Sequence, residues 1–344
     1  MDWRTLLSRN RMPETRVDSG QPNLDWWEVG MSMAASHDYK LAIRCFDLCL
    51  DADASAVGCW TMKAICFRGL GMNEEALGCL GRFIECSPED PQGWRAVAIL
   101  YSELKALDEA LECSERGLEK DDTDVSLWIS RGSTLNEMGR HVEAIESFDR
   151  ALGIDSQTAV AWMRKGVSLS IMGRCEEALA CYERSLECGH NPEREPDPVL
   201  TFDEALAWKN IGIALRKLKR YREVVLACEI GLEYDSQYVD LWGDRAYALL
   251  KLRKYEKALQ SVARALELNP EKAGYWAWRA CALTGLGRYT DALAAVERGL
   301  EIDPDHAYLW KEKGLALLRL SRYTAANACF AIVDDLLSQE REGD

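Results

Sequence analysis

Apolar and polar residues follow a helical period along most of the chain, and the whole pattern repeats at intervals of 34 residues. Nine of the twelve tryptophans mark this repeat, and one longer step of 46 residues separates the fifth mark from the sixth. After four residues each tryptophan is followed by Gly or Ala, and after three more by a large apolar residue. This i, i+4, i+7 spacing places the three positions on one face of a first helix. The tryptophans in register are Trp26, Trp60, Trp94, Trp128, Trp162, Trp208, Trp242, Trp276 and Trp310.

A second helix is predicted after the first in every unit. Its apolar stripe starts at an alanine in eight of the nine units and at Val224 in the sixth. Four glycines lie between the two helices, where a left-handed helix end favours glycine: Gly71, Gly139, Gly173 and Gly287. The junctions between units carry residues that favour turns and helix starts: Asp53, Ser87, Asp121, Asp155, Asp235, Asn269 and Asp303. A period of this length indicates stacked helical repeats, here with eighteen helices and no sheet.

These positions resemble the tetratricopeptide repeat (TPR) family, as in Trp276, Ala280, Tyr289, Ala292 and Pro304 of the eighth unit. The resemblance covers about residues 23–340, and it implies an all-α fold, an α-solenoid. In the family, such helix-turn-helix repeats wind into a right-handed superhelix whose first helices line a concave groove. The resemblance implies the same arrangement for the nine repeats of this chain. The expected organisation is a flexible N-terminal extension (1–22), repeats one to five (23–190), a Pro-rich acidic insertion loop (191–204), repeats six to nine (205–340) and a polar tail (341–344).

The insertion adds twelve residues between the fifth and sixth units and contains Pro192, Pro196 and Pro198. Proline lacks an amide donor and restrains the residue before it from helix, so Asn191 to Pro198 is predicted to be an extended loop. A tolerated surface insertion is one interpretation. An acidic flap over the groove, or a hinge that changes the superhelix pitch, is the other.

Composition restricts the class of partner. The chain has 42 Lys and Arg against 57 Asp and Glu, a net charge of −15, which disfavours nucleic-acid binding. The longest stretch without a charged residue is residues 323–333, whereas a membrane helix needs about 20 apolar residues. The first residues contain no apolar signal segment, and thirteen cysteines without a CxxC pair fit reduced thiols. We therefore expect a cytoplasmic protein without membrane contact.

No catalytic motif is present: the chain lacks GxxxxGK[ST], HExxH and GxSxG. The best metal candidate combines Cys175, Cys181, Cys188 and His190. Cys181 and Cys188 are seven residues apart, about 10 Å along a helix, too far for one zinc ion with ligands at roughly 2.0–2.3 Å. The sequence therefore predicts no enzyme, no cofactor and no metal, and the cysteines are interpreted as structural.

The resemblance also points to candidate groove positions on the first helices. The carboxylate clamp of the chaperone-tail binders is absent: Lys209 and Asn210 are its nearest fragment, and unit seven lacks the rest. An asparagine ladder is absent too. A mostly apolar run remains at the ninth helix position, with Met31, Ile65, Ile99, Val167, Ile213 and Tyr247, and two basic residues, Lys209 and Arg216, complete the candidate protein-binding set. Alternatively, the ninth position is half-buried between adjacent first helices, and the basic residues form a solvated face.

The predicted function is a non-enzymatic protein-interaction scaffold that binds an unidentified partner peptide or helix in the groove. The alternatives are a regulatory or accessory subunit of an enzyme complex and a self-assembling structural solenoid. At the C-terminus, a homodimer contact through Phe330, Ile332 and Leu336 competes with self-capping, because Asn327, Asp334 and Asp335 replace apolar stripe residues there.

Overall fold

The computed structural model describes residues 26–53, 56–189 and 203–342, which form eighteen α-helices and contain no β-strand. The predictions for residues 1–22 and for the extended loop from Asn191 to Pro198 lie outside these ranges. The first four repeats contain α1 (Trp26–Ala35), α2 (Tyr39–Ala52), α3 (Gly58–Gly69), α4 (Asn73–Cys86), α5 (Pro91–Glu103), α6 (Leu107–Lys120), α7 (Val125–Glu137) and α8 (His141–Ile154). The other five contain α9 (Ala159–Ile171), α10 (Cys175–Gly189), α11 (Glu204–Lys217), α12 (Tyr221–Tyr234), α13 (Val239–Lys251), α14 (Tyr255–Leu268), α15 (Ala273–Gly285), α16 (Tyr289–Ile302), α17 (Ala307–Arg319) and α18 (Tyr323–Glu342).

The helices belong to two compact units divided between Ser156 and Gln157. In the first unit the helices of each repeat pack against each other, and α2, α4 and α6 each pack on the first helix of the next repeat. In the second unit the same arrangement recurs from α9 to α18. Each unit is therefore a series of nested helical hairpins, as a helical repeat requires.

A size match between the two helices holds most of the hairpins together. The small residue four positions after the tryptophan faces the residue sixteen positions further on, in the second helix. Gly132 faces Phe148, which is fully buried, and a Cβ at Gly132 would lie 2.6 Å from the ring. Gly30, Gly166 and Gly314 face aromatic rings in the same way, whereas the repeats with alanine there carry Leu80, Ser114, Val262 or Val296 instead. Glycine thus allows the first helix to approach a large ring.

The turn inside every repeat has the same backbone conformation. The prediction of left-handed glycines is confirmed, because φ is between +75° and +80° at Gly71, Gly139, Gly173 and Gly287. In the other five repeats the same position is also left-handed, at His37, Lys105, Lys219, Arg253 and Ser321. In all nine turns the next amide donates to the carbonyl five residues earlier, at 2.8–3.0 Å, the hydrogen bond of a Schellman motif. The hydrogen bonds to the carbonyl groups at the helix end therefore outweigh the residue's own preference for a negative φ.

At the junctions between repeats, one residue forms the turn and a different residue caps the next helix. Asp121, Asp235 and Asp303 each accept a hydrogen bond from the amide two residues later, which closes the turn after the second helix. The next helix begins after a cap three residues further on, such as Asp124, whose carboxylate accepts from Ser126 and Leu127. The turn prediction is confirmed at Asp121, Asp235 and Asp303, but these residues do not cap the following helix.

The tryptophans in register share the same degree of burial. All nine are half-buried. Five indole N–H groups, those of Trp94, Trp128, Trp242, Trp276 and Trp310, donate to the carbonyl six residues earlier, in the junction, at 2.7–3.1 Å. In these five repeats the indole therefore ties the first helix to the turn that precedes it.

Candidate functional site

The ninth position of the first helices is exposed at the start of the first unit. Met31 on α1 is 39% exposed and Ile65 on α3 is 45% exposed, and these two helices contact each other. Ile65 directly follows Ala64, which is buried against the second helix. Because neighbouring residues of a helix point about 100° apart, the burial of Ala64 turns Ile65 outward. Ile99 on α5 is half-buried.

In the second unit the same position is half-buried at Val167, Ile213 and Tyr247. Ser133, Cys281 and Leu315, the remaining members of the run, are also half-buried. The accessibility of seven of the nine residues therefore agrees with the alternative interpretation, in which adjacent first helices partly cover this position. Met31 and Ile65 are the two exposed members of the run.

Lys209 is placed in a charged group that spans three repeats. Its ammonium lies 3.0 Å from Asp240 on α13, and Lys272, just before α15, lies 3.4 Å from the other oxygen of the same carboxylate. Lys272 also donates to the hydroxyl of Tyr275 at 3.3 Å. Burial raises the pKa of Asp240, but the hydrogen bonds and charges of the two lysines outweigh it, so the pKa is lowered and the carboxylate stays ionised.

Arg216 and Tyr247, both in the predicted set, are brought together on α11 and α13. The guanidinium carbon of Arg216 lies 5.7 Å from the ring centroid of Tyr247, and the ammonium of Lys251 lies 5.1 Å from the same centroid. Arg216 is 3.7 Å from Asp244, whose side chain is only 12% exposed. Burial raises the pKa of Asp244, and Arg216 opposes this only partly.

Aromatic rings continue this surface across α13 and α15. Tyr247 contacts Trp278, with 5.9 Å between centroids, and Trp278 contacts Tyr275 at 5.5 Å. Tyr221 meets the other side of the row, edge to face with Tyr247 at 6.3 Å. We name the whole set the cationic aromatic cluster; it comprises Lys209, Arg216, Tyr221, Asp240, Asp244, Tyr247, Lys251, Lys272, Tyr275 and Trp278.

The sequence reasoning identified three members of this cluster, Lys209, Arg216 and Tyr247, and missed the others. Asp240, Asp244 and Trp278 lie at the second and sixth positions of first helices, which the resemblance names as groove positions. They were missed because their residue types differ, and a search for one residue type along the register does not find a mixed cluster. Only the packing of α11, α13 and α15 side by side shows that they meet.

A buried carboxyl lies further along the second unit. Glu312 on α17 is 3% exposed, and its hydrogen-bond partners are Tyr308 and Cys281. Burial raises the pKa of Glu312, and these two hydrogen bonds together with the charge of Lys311 oppose the shift only partly. This group was not singled out from the sequence.

Ion pairs on the second-helix side join consecutive repeats. Arg131 on α7 bonds Glu115 of α6 at 3.0 Å and Ser147 of α8 at 2.8 Å. Arg245 repeats this arrangement with Glu229 and Ser261 in the second unit. These side chains lie at the same register position, three residues after the tryptophan, so their role follows from the repeat itself. An open cleft between α6 and α8 is lined by Glu119, Glu146 and Arg150 as well.

The cysteines are free thiols, mostly in the core. At the recurring register position Cys45, Cys79, Cys181 and Cys329 are buried and Cys113 is half-buried. Burial raises the pKa of Cys45 and Cys66 to about 11, which keeps these thiols protonated and unreactive near neutral pH. Within the described ranges no three His, Cys, Asp or Glu side chains are grouped so as to hold a metal ion. Nor does any helix of those ranges have the length and apolar character needed to cross a membrane.

Comparison with known proteins decides the family. Two sequence profiles described as tetratricopeptide repeat match the chain, one at residues 125–158 and 159–187, the other at 244–307 and 279–333. The chain belongs to the TPR family. The all-α repeat fold predicted for this TPR protein is confirmed by the series of packed hairpins in each unit.

Several solved structures are similar to parts of the chain. The Cut9–Hcn1 hetero-tetramer of the APC/C is similar with a TM-score of 0.56 and 16% identity, covering 81% of this TPR chain and 52% of that one. YrrB, described as a TPR protein with an unusual peptide-binding site, has a TM-score of 0.49 and 18% identity over 58% of this chain and 96% of its own. MamA from Desulfovibrio magneticus RS-1 has a TM-score of 0.47 and 19% identity over 54% and 97%. No curated protein sequence matches the chain.

Proposed function

We propose that this TPR protein is a non-enzymatic cytoplasmic scaffold that binds a segment of a partner protein on the faces of its first helices. The observation that carries the proposal is the exposure of Met31 and Ile65 at the same register position of two adjacent first helices. Exposed apolar side chains at a shared position present a surface that a partner helix or extended peptide would cover.

The second unit supports the proposal with different chemistry. Its first helices carry half-buried Ile213 and Tyr247 beside the charged members of the cationic aromatic cluster. Aromatic rings and arginine are enriched where proteins bind one another, because they combine a large apolar area with polar groups that can be paired. Binding, rather than chemistry, is what such a surface supplies.

The proposal is tested by affinity capture from native lysate followed by quantitative mass spectrometry. The Met31→Asp and Ile65→Asp variants are compared with wild type and with Val142→Asp. Val142 is 58% exposed on α8, a second helix, so this control introduces the same acid on the other face of the repeat.

We expect a partner that wild type and Val142→Asp capture equally and that both first-helix variants lose. Circular dichroism must show the same helix content in all four proteins. Equal capture by all of them would refute a role for this face. Recovery of only further copies of the chain would favour the self-assembling solenoid.

Self-association through the last repeat stays a prediction. Phe330 is already engaged inside its own repeat, because a Cβ at Gly314 would lie 2.6 Å from its ring. Asn327, Asp334 and Asp335 are exposed on α18, whereas Ile332 and Leu336 are half-buried. Sedimentation at high protein concentration distinguishes a dimer from a self-capped monomer.

A further inference from the structure

Two cations converge on one ring in the second unit, and among the described residues a single carboxylate, Asp244, lies within 4 Å of either of them. Arg216 and Lys251 both lie within 5.7 Å of the centroid of Tyr247. Within the described part of the chain no carboxylate lies within 4 Å of the Lys251 ammonium. The one carboxylate near Arg216 is Asp244, at 3.7 Å, beyond hydrogen-bond distance. Like charges held this close repel each other unless an anion compensates them.

The surrounding groups do not neutralise this excess of positive charge. Lys209 and Lys272 share a single carboxylate, Asp240. The cationic aromatic cluster therefore holds four cations and two carboxylates, although the chain as a whole has a net charge of −15. A local positive surface on an acidic protein steers acidic partners to one place and repels them elsewhere.

We propose that Arg216 and Lys251 bind acidic side chains of the partner segment, while an apolar side chain of the same segment packs on Tyr247 and Trp278. This inference rests on the proposed function and names the chemistry of the partner: an extended peptide with acidic side chains at positions i and i+2 and an apolar side chain at i+4. A peptide is favoured over a nucleic acid because the rest of the chain is strongly acidic and would repel a uniform polyanion.

The dimensions of the cluster fit an extended peptide. Since both cations are measured from one centroid, at 5.7 Å and 5.1 Å, their separation cannot exceed the sum of these distances. Residues i and i+2 of an extended chain are roughly 6.6 Å apart and point to the same side. Two carboxylates with this spacing reach both cations, and the residue between them points the other way. An apolar side chain at i+4 lies on the same side as the two carboxylates and meets the rings.

The test measures fluorescence anisotropy with two labelled peptides. One has Glu at positions i and i+2 and Phe at i+4, with Ser between them, and its counterpart has Gln at both Glu positions. We expect the Glu peptide to bind at least about tenfold more tightly, because charge-assisted hydrogen bonds are stronger than neutral ones. Added salt should weaken binding of the Glu peptide and leave the Gln peptide almost unchanged.

A matched pair of variants locates the site. Arg216→Gln with Lys251→Gln removes the two converging cations. Arg264→Gln with Arg298→Gln removes the same charge from the second helices α14 and α16, where each arginine pairs with a glutamate three residues later. The first double variant should lose the tenfold preference for the Glu peptide, and the second should retain it, with equal helix content in both.

Several results would overturn the inference: equal affinity for both peptides, equal losses in the two double variants, or binding of neither peptide. Tighter binding of a thymidine oligonucleotide, lost in the Arg216 and Lys251 variant, would assign the cluster to nucleic acid instead. If both peptides bind alike while the Ile65→Asp variant still loses its captured partner, the proposed function stands and only the charge preference fails.

Discussion

The size match between helices makes a sharp prediction for two glycines at the same register position. Gly132 on α7 and Gly212 on α11 are each replaced by alanine. At Gly132 the added methyl would lie 2.6 Å from a ring carbon of Phe148. At Gly212 the only atom within 4 Å is the sulfur of Cys228, at 3.9 Å, which is ordinary van der Waals contact. The same chemical change therefore meets a full site in one repeat and an open site in the other.

The expected free energies of unfolding differ in sign. Alanine favours a helix interior over glycine by about 1 kcal/mol at both positions. At position 212 the methyl adds roughly 0.8 kcal/mol of burial, so Gly212→Ala should stabilise by about 1–2 kcal/mol. At position 132 the fully buried ring of Phe148 has to move, and overpacking of this kind costs about 1–3 kcal/mol. Gly132→Ala should therefore be neutral or destabilising by up to about 2 kcal/mol, which places it about 1–4 kcal/mol below Gly212→Ala.

The assay is urea unfolding followed by circular dichroism, with amide hydrogen exchange to locate the change. Because repeat arrays can lose two-state behaviour, exchange is compared in α7 and α8 and separately in α11 and α12. Combining Gly132→Ala with Phe148→Leu reproduces the pair found in the second repeat, Ala64 with Leu80, and should recover part of the loss. If Gly132→Ala stabilises as much as Gly212→Ala, the close-approach argument is wrong.

Two further predictions concern the turns and the buried carboxyl. Gly139→Ala should destabilise by about 1 kcal/mol, because φ is +77° there and the added methyl group gains no packing: no atom of the described residues lies within 4 Å of a Cβ at this position. Arg253→Gly, at φ +56°, should instead stabilise by about 0.5 kcal/mol. Thermal midpoints measure both changes, and shifts of the same sign would contradict this expectation. Glu312→Gln should be more stable than wild type at pH 7, because burial raises the pKa of Glu312 and its ionised form is disfavoured in the folded state. The folded protein keeps this proton to a higher pH than the unfolded chain does. Wild type should therefore lose stability relative to the variant as the pH rises above about 4.3, the ordinary pKa of a glutamate in an unfolded chain. The thermal midpoints of the two proteins should be similar at pH 4 and should differ at pH 7.

The sequence was sufficient to predict the helices, because the apolar stripe and the tryptophans repeat in register. It predicted the left-handed turn only where glycine marks it. At Lys105 and Arg253 the residue type gives no such signal, and the conformation follows from the hydrogen bonds that close the helix. The equivalent position in other repeats could have revealed them, since the same turn length recurs in every unit.

The candidate site was harder to predict because it depends on contacts between repeats. Lys209 meets Asp240, and Arg216 meets Tyr247, each across 31 residues of sequence. A register position states which face of its own helix a residue occupies, but it does not state how far the side chain reaches to the next helix. Long charged side chains reach across that gap, and therefore residues at different register positions form one cluster.

The nine repeats act as an internal comparison that separates fold from function. Where the register keeps a size relation, as between Gly132 and Phe148, the residue is explained by the packing of its own hairpin. The sixth position of the first helix keeps neither size nor charge from repeat to repeat; it is Asp244 in the seventh and Trp278 in the eighth. Helix packing places no common demand on this position, since every hairpin forms regardless of its occupant. The variation therefore falls on the surface that a partner would meet, and the repeats that bring opposite charges, cations and rings together there are the ones in which binding is to be sought.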